Sequence, residues 1–364
     1  MPSVGDAFSR DAVRLRGLLD ESADSPGLTI PSTGTPLVDL PDASEYHVVV
    51  GLGTPAQNLT VGFDTATIGA TLLQCKPCAA GDPCDKVFDP SQSSSVYDIP
   101  CGRRREGCPF TGCSTPGCTF SLTRNGSLVL NASMEKDTLT VAPSIALHGF
   151  RFLCMEMMSE VPKDGSSGVL DLSRNRYSLA SRVILSPDTV AFSYCLPRGA
   201  ESQGFLSFGT TRPELAGRSV SYATLHRRAP RRNLYFLRLI GVNIGGLDLP
   251  MPTEPLASDA LIDYKVAPSS GELDTCYDLT GLNAVTMPVI TLSFEGGASL
   301  ELGIEQMMYF SNPHNIFSVA CLAFAPAPAY YGSGVAVIGS LAQAYTEVVY
   351  DLRGGKVGFV DNRC

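Results

Sequence analysis

The feature that most restricts the fold is a long succession of short apolar runs broken by glycine and proline. Tyr46–Pro55, Leu59–Phe63 and Leu234–Val242 are examples, and Thr119–Leu130 predicts a β-hairpin with Asn125–Gly126 at its tip. The chain carries 35 Gly and 26 Pro, while long amphipathic helical repeats are few. This pattern is typical of short strands joined by turns. The sequence therefore predicts an all-β protein with few short helices.

The start of the chain and one internal segment depart from this pattern. A partly apolar face over Phe8–Ala23 predicts a helix, and Ser25–Asp42, rich in Pro, Gly, Ser and Thr, predicts a linker. A second linker is predicted near Thr210–Arg218. We therefore expect three regions: a helix and linker at 1–44, a β-rich half with a cysteine-rich insertion at 45–209, and a second β-rich half at 210–364.

Twelve cysteines indicate an oxidising compartment, and seven of them fall between Cys75 and Cys118. The alternative is a zinc site, because Cys75–Cys78 has the spacing of a ligand pair. The later cysteines of this cluster form no second pair of that spacing, and the whole chain has 4 His. We therefore expect disulfides and no metal, with a connectivity that spacing alone does not determine.

The sequence also bears on where the protein works. Sequons at Asn58, Asn125 and Asn131 agree with secretion, although Met1–Arg16 lacks the apolar region of a signal peptide. We expect a protein of the apoplast, extracellular space or vacuole whose precursor start is missing here; the alternative is a cytosolic protein with reduced thiols. A net charge of −9 and the lack of a long apolar window argue against nucleic acid and membrane as partners.

Two acids follow apolar runs, one in each half of the chain. Val61–Phe63 leads to Asp64 and a turn of small residues, and Ala260–Ile262 leads to Asp263. Two carboxyl groups held close together do not ionise independently and share a proton. Such a pair can activate a water molecule and hydrogen-bond a carbonyl oxygen as charge develops on it. From these residues alone, the preferred interpretation of Asp263 is an ordinary acid at the end of a strand.

Stretches beyond the two acids carry a family resemblance: Glu45–Pro55, Cys75–Cys78, Phe192–Leu196, Leu273–Asp278, Ala336–Ser340 and Val357–Cys364. Together they resemble the pepsin-like aspartic proteases, and within them the cysteine-rich, nepenthesin-type plant branch. The resemblance implies a bilobal all-β fold with a central cleft and a prosegment at the N-terminal helix. It implies catalysis by an Asp64/Asp263 dyad without cofactor or metal, in a monomer that takes a peptide or protein substrate in the inter-lobe cleft.

The same resemblance exposes departures around the proposed dyad. Where the family has a hydroxyl residue, a glycine, a flap tyrosine and a supporting glycine, this chain has Tyr264, Lys265, Arg124 and Asp171. Ala66 also replaces a glycine, and the second half is shortened after Asp263. A lysine next to Asp263 would favour its ionised form and oppose a shared proton. We therefore expect hydrolysis to be weak or absent.

The sequence leaves the function open between two classes. One is an aspartic endopeptidase that acts at acid pH and is weak or inactive in this chain. The other is a non-catalytic pepsin-fold binding protein, such as a secreted glycanase-inhibitor-like protein, by analogy of fold. A third interpretation concerns the sequence itself, because a missing exon would also shorten the segment before Cys276.

Overall fold

The computed structural model describes residues 28–34, 46–67, 69–76, 87–101, 108, 113–114, 117–124, 127–142, 145–158, 166–183, 191–197, 203–209, 220–227, 233–249, 265–270, 273–312, 315–324 and 335–360. The predicted helix Phe8–Ala23 lies outside these residues. The chain divides into two compact units, and the first holds residues up to Phe192 together with Gln203–Ala216 and Arg227–Phe236. The second holds the remainder. The boundaries expected at residues 45 and 210 stay predictions.

Short strands form most of the first unit. They are β1 (Leu28–Gly34), β2 (Tyr46–Leu52), β3 (Gln57–Asp64), β4 (Thr71–Gln74), β5 (Tyr97–Asp98), β6 (Cys113–Ser114), β7 (Gly117–Arg124), β8 (Ser127–Ala142), β9 (Ile145–Met158), β10 (Gly168–Asp171), β11 (Ala191–Cys195), which begins here and ends in the second unit, and β12 (Gly204–Gly209). Hydrogen-bonded neighbours follow the order β12-β1-β2-β3-β10-β4-β9-β8-β7-β6, with β5 on β8. A 3₁₀ turn (Pro90–Gln92) and helix α1 (Leu179–Val183) accompany them. The predicted hairpin is confirmed by the antiparallel pairing of β7 with β8.

Strand β1 corrects one prediction from composition. It pairs antiparallel with β12 and with β2, and its Ile30 and Ser32 are buried between more exposed neighbours. This alternation has the period of a strand. The linker predicted over Ser25–Asp42 is therefore wrong for Leu28–Gly34, because Pro31 and Gly34 at accessible positions and the polar Ser32 at a buried one hid the period of the strand.

Strand β10 enters the sheet between β3 and β4, parallel to β3 and antiparallel to β4. Gly168 opens it with φ +133°, and a Cβ at this position would lie 2.0 Å from the carbonyl oxygen of Leu72. Because real Cβ atoms do not approach backbone so closely, only glycine lets β10 enter here. This entry determines where Asp171, at the other end of β10, lies relative to Asp64.

Aromatic side chains form the centre of the first unit's core. Phe88, Phe150 and Phe152 are fully buried, and the rings of Phe88 and Phe152 meet edge to face at 5.7 Å. A disulfide between Cys75 and Cys154 joins the residue after β4 to the parallel strand β9.

The second unit is also built from short strands: β13 (Tyr222–Thr224), β14 (Leu239–Ile244), β15 (Leu247–Leu249), β16 (Lys265–Ala267), β17 (Cys276–Asp278), β18 (Ile290–Phe294), β19 (Ser299–Leu302), β20 (Met308–Phe310), β21 (Val319–Leu322), β22 (Glu347–Asp351) and β23 (Lys356–Val360). They pair as β13-β23-β22, β15-β14-β18-β19 and β16-β17-β21-β20. Helices α2 (Ile304–Met307) and α3 (Ser340–Gln343) are each 4 residues long. Val242, Phe294 and Leu300 lie in the main core cluster.

The cysteines form disulfides, as the sequence predicts. Besides Cys75–Cys154, the structure pairs Cys108 with Cys118 and Cys276 with Cys321. Because Cys75 is bonded to Cys154, it is not available as the zinc ligand that its spacing to Cys78 suggested. None of the helices among the described residues has the length and apolar character needed to cross a membrane.

We expect Gly168→Ala to lower the free energy of unfolding by at least about 3 kcal/mol, because the methyl group meets the Leu72 carbonyl while the residue is held at positive φ. Gly149→Ala is the matched control, since Gly149 also has positive φ but has no atom within 4 Å of the place that a methyl group would take. It should cost only about 1 kcal/mol. Chemical denaturation measures both, and equal losses would contradict the steric account.

Candidate active site

The first predicted catalytic acid lies beside another acid. Asp64 ends β3, Asp171 ends the parallel strand β10, and the two residues are register partners. The backbone N–H of Leu172 donates to the Asp64 carbonyl oxygen at 2.8 Å, which extends the ladder past the strand ends. Register partners on neighbouring strands place their side chains on the same face of a sheet. The structure therefore brings Asp64 together with the residue that replaces the family's supporting glycine.

The turn after β3 keeps the hydrogen bonds that an acid motif needs. Ala66 N–H donates to Asp64 Oδ1 at 2.7 Å, the bond that the family resemblance assigns to a glycine. Among the described residues, Tyr345 is the one non-glycine with positive φ, so Ala66 holds this position without backbone strain. The Gly69 N–H donates to Thr67 Oγ1 at 3.1 Å and closes the turn. The replacement of glycine by Ala66 therefore leaves the first motif intact.

Asp171 is a buried carboxyl group with uneven hydrogen bonding. Its Oδ1 accepts from Thr67 Oγ1 and from Ser173 N–H, both at 2.7 Å. Its own N–H donates to Thr71 Oγ1 at 3.0 Å. The residue has no exposed surface, and its Oδ2 has no hydrogen-bond partner among the described residues. The hydroxyl of Thr67 is thus directed to Asp171 and not to Asp64.

A segment distant in sequence supports this turn. Asn233 Nδ2 donates to the Thr67 carbonyl oxygen at 3.1 Å, and the Tyr235 hydroxyl donates to the Leu172 carbonyl oxygen at 2.8 Å. The sequence pattern did not predict these contacts, because Leu234–Val242 was interpreted as the first strand of the second half. In the structure β14 starts only at Leu239, and Arg227–Phe236, which includes Asn233 and Tyr235, belongs to the first unit.

Both acids bind a proton more tightly in the folded protein. Burial raises the pKa of Asp64, and the charge of Asp171 raises it further, against N–H donors from Ala66 and Thr65. Asp64 keeps exposed surface, so water limits the size of this shift. Burial also raises the pKa of Asp171, against the donors Ser173 and Thr67. Their stabilising contribution is therefore present below the ordinary value of 3.8 and is lost as pH rises through the folded pKa.

The second predicted acid, Asp263, and its neighbour Tyr264 lie outside the described residues. Lys265 begins β16, and its ammonium group donates to Asp278 Oδ2 at 2.7 Å. This bond, with the Thr280 donors, lowers the pKa of Asp278 to about 2. The sequence suggested that the charge of Lys265 acts on Asp263, whereas the structure gives Lys265 a carboxylate partner on the neighbouring strand β17.

The second unit has its own supporting network behind the stretch Val337–Gly339. Gln343 Nε2 on α3 donates to the carbonyl oxygens of Ile338 at 2.7 Å and Gly339 at 3.3 Å. The Tyr194 hydroxyl donates to Gln343 Oε1 at 2.5 Å. Nothing in the local sequence pattern marks Gln343, since one of its partners, Tyr194, comes from a distant segment.

Arg124 occupies the position where the family resemblance places the flap tyrosine. It is the last residue of β7, and its backbone pairs with that of Ser127 on β8.

We expect Thr67→Val to destabilise the first unit more at about pH 8 than at about pH 4. The lost hydrogen bond is worth about 1 kcal/mol when Asp171 is neutral and about 2 kcal/mol when it is charged. Thr67→Ser keeps the hydroxyl and should lose less than the Val variant at both pH values. Denaturant titrations at the two pH values measure these losses of unfolding free energy. If the loss in Thr67→Val changes with pH no more than the loss in Thr67→Ser, the bond from Thr67 to Asp171 is contradicted.

Two protein-family models match this chain, one in each half. A family model described as the xylanase inhibitor N-terminal domain matches residues 46–210, and one described as the xylanase inhibitor C-terminal domain matches residues 259–361. The chain is 31% identical to an aspartyl protease family protein of Arabidopsis thaliana, over 88% of this chain and 73% of that protein. It is 26% identical to the aspartic proteinase nepenthesin-2 of Nepenthes gracilis, over 88% of this chain and 78% of nepenthesin-2.

Solved structures agree on the fold. Conglutin gamma from lupine seeds superposes with a TM-score of 0.68 at 17% identity, covering 93% of this chain and 96% of that one. Basic 7S globulin from soybean superposes with a TM-score of 0.66 at 16% identity, and the match covers 92% of this chain and 96% of the globulin. These likenesses confirm the predicted all-β, pepsin-like fold. Together with the sequence relatives, they show that the chain belongs to the pepsin-like aspartyl protease family, in the group whose domains are described as xylanase inhibitor domains.

Proposed function

We propose that this chain is an aspartic-type endopeptidase family member whose peptide-bond hydrolysis is weak or absent, with Asp64 and Asp263 at the positions of the catalytic acids. Relatives named as aspartyl proteases support the class. The observation that carries the loss of activity is Asp171, a buried carboxyl group in register with Asp64 that accepts the Thr67 hydroxyl.

The loss follows from what the reaction requires. One acid of the dyad must be ionised to take a proton from water, while the other must stay protonated to hydrogen-bond the substrate carbonyl. A charge on Asp171 opposes ionisation of Asp64, and the engagement of Thr67 removes a donor that could stabilise the ionised form. Tyr264 replaces the short hydroxyl residue after Asp263 with a side chain whose hydroxyl stands at the far end of a ring.

We expect no pepstatin-sensitive turnover of peptide substrates above about 0.01 s⁻¹ anywhere between about pH 3 and 6, roughly a thousandfold below a typical enzyme. An active aspartic proteinase assayed in parallel is the positive control. Rapid turnover that disappears in both Asp64→Asn and Asp263→Asn would contradict the proposal. Reverting Tyr264→Thr and Lys265→Gly should not restore turnover, because Asp171 still holds the Thr67 hydroxyl.

A second candidate function is binding without catalysis. The descriptions of both matching family models favour it, and they suggest a secreted glycanase such as a xylanase as the partner. On this hypothesis the folded chain forms a complex with a purified xylanase and lowers its activity. Asp64→Asn should bind as tightly as the parent, because binding needs no dyad. Absence of any complex at about 10 μM would exclude this partner, since specific complexes are tighter.

The protein is proposed to act in an oxidising compartment, either outside the cell or in the vacuole. The disulfides between described cysteines, such as Cys75–Cys154 and Cys276–Cys321, support this location. Asn58, the first residue of one sequon, is exposed on β3 and is the sequon asparagine we propose as a glycan acceptor. A protein or peptide chain is the expected partner in either functional class.

A further inference from the structure

The strand ends that carry Asp64 and Asp171 create a pair of carboxyl groups inside the first unit. The residues are register partners on parallel strands, about 5 Å apart along the hydrogen-bonding direction. Their side chains share a face of the sheet, and both residues belong to the first unit. This pair is separate from the Asp64/Asp263 dyad that the family resemblance implies.

The described residues around the pair leave both carboxyl groups without an ion-pair partner. No ion pair joins either of them to a basic side chain in the part of the chain that the structure describes. Asp64 Oδ1 accepts one backbone N–H, and Asp171 Oδ1 accepts two donors. Asp171 Oδ2 is buried without a described partner. A buried oxygen with no donor is destabilised by a negative charge and is accommodated when it carries a proton.

The elements packed against β10 add few titratable groups. β3 contributes Asp64, β4 contributes none, and α1 contributes Arg182, whose Nη2 donates to the His148 carbonyl oxygen at 3.0 Å. Beside the end of β10 lie Arg174, which follows in sequence, and Tyr235, which donates to the Leu172 carbonyl oxygen. Among these described groups, the one that interacts electrostatically with Asp64 is Asp171.

We propose that Asp64 and Asp171 titrate as one coupled pair, in which a charge on either carboxyl group opposes ionisation of the other, so that Asp171 is the positioning residue that controls the protonation of Asp64. The proton leaves to solvent, and no other group changes its charge. The pair then carries one negative charge over the pH range in which separate carboxyl groups would carry two. This inference goes beyond the proposed function and holds whether or not the chain cleaves peptides.

Two further observations support the pair. Burial raises the pKa of both groups, and the charge of Asp171 adds to the rise at Asp64. In addition, Thr67 links them, because its backbone belongs to the Asp64 turn while its hydroxyl donates to Asp171. A change of charge at Asp171 therefore reaches Asp64 both through space and through the turn.

The test is an NMR titration of the aspartate carboxyl carbons in the whole chain. We expect the midpoint of Asp64 to fall by about one pH unit in Asp171→Asn, which removes the charge but keeps the shape and an acceptor for Thr67. The midpoint of Asp171 should fall similarly in Asp64→Asn. Asp98→Asn is the control, since it removes one exposed acid from β5 and should leave both midpoints unchanged.

An Asp64 midpoint that is the same in the parent and in Asp171→Asn overturns the proposal, because a merely structural role of Asp171 would not move it. If that variant does not fold, the parent protein decides the question alone. Coupled groups give two-step curves in which each carboxyl signal also responds at the midpoint of the other. Two independent single-step curves near the ordinary aspartate value would reject the pair.

Discussion

The close approach of β10 to β4 is the contact on which the site depends. Gly168 has no side chain, so the strand passes against the Leu72 carbonyl and runs parallel to β3. The register between β10 and β3 follows from this contact, and it places Asp171 opposite Asp64. The acid at position 171 matters because the backbone has already placed that position behind the Asp64 turn.

Around this contact, hydrogen bonds from three other residues support the backbone near Asp64 and Asp171. Ala66 still donates to Asp64, and Asn233 and Tyr235 hold the backbone on either side of the turn. The carboxyl group of Asp171 lies beside this turn, accepts the Thr67 hydroxyl and leaves the bond from Ala66 to Asp64 in place. On our proposal, any change in the chemistry of the site arises from the charge of Asp171 and not from a change of backbone geometry.

Local patterns predicted much of this structure. Alternating apolar residues and glycine-containing turns predicted the strands and the β7–β8 hairpin, because these signals lie within about ten residues of one another. The cysteine content predicted disulfides. The pattern failed at β1, whose Ile30 and Ser32 are buried only because β2 and β12 flank the strand. It also gave no sign of the ion pair between Lys265 and Asp278, because the two residues lie on different strands of a ladder.

Motif spacing and composition are properties of the amino-acid sequence, and they were enough to predict the fold family and to single out Asp64 and Asp263. The burial of Asp171, its bond from the Thr67 hydroxyl and the bond from Asn233 to the Thr67 carbonyl oxygen became known only from the folded chain. Thr67 is separated by 104 positions from Asp171 and by 166 positions from Asn233, and no local periodicity links residues so far apart. Their proximity follows from strand register and from the exclusion of water, which exist only in the folded protein.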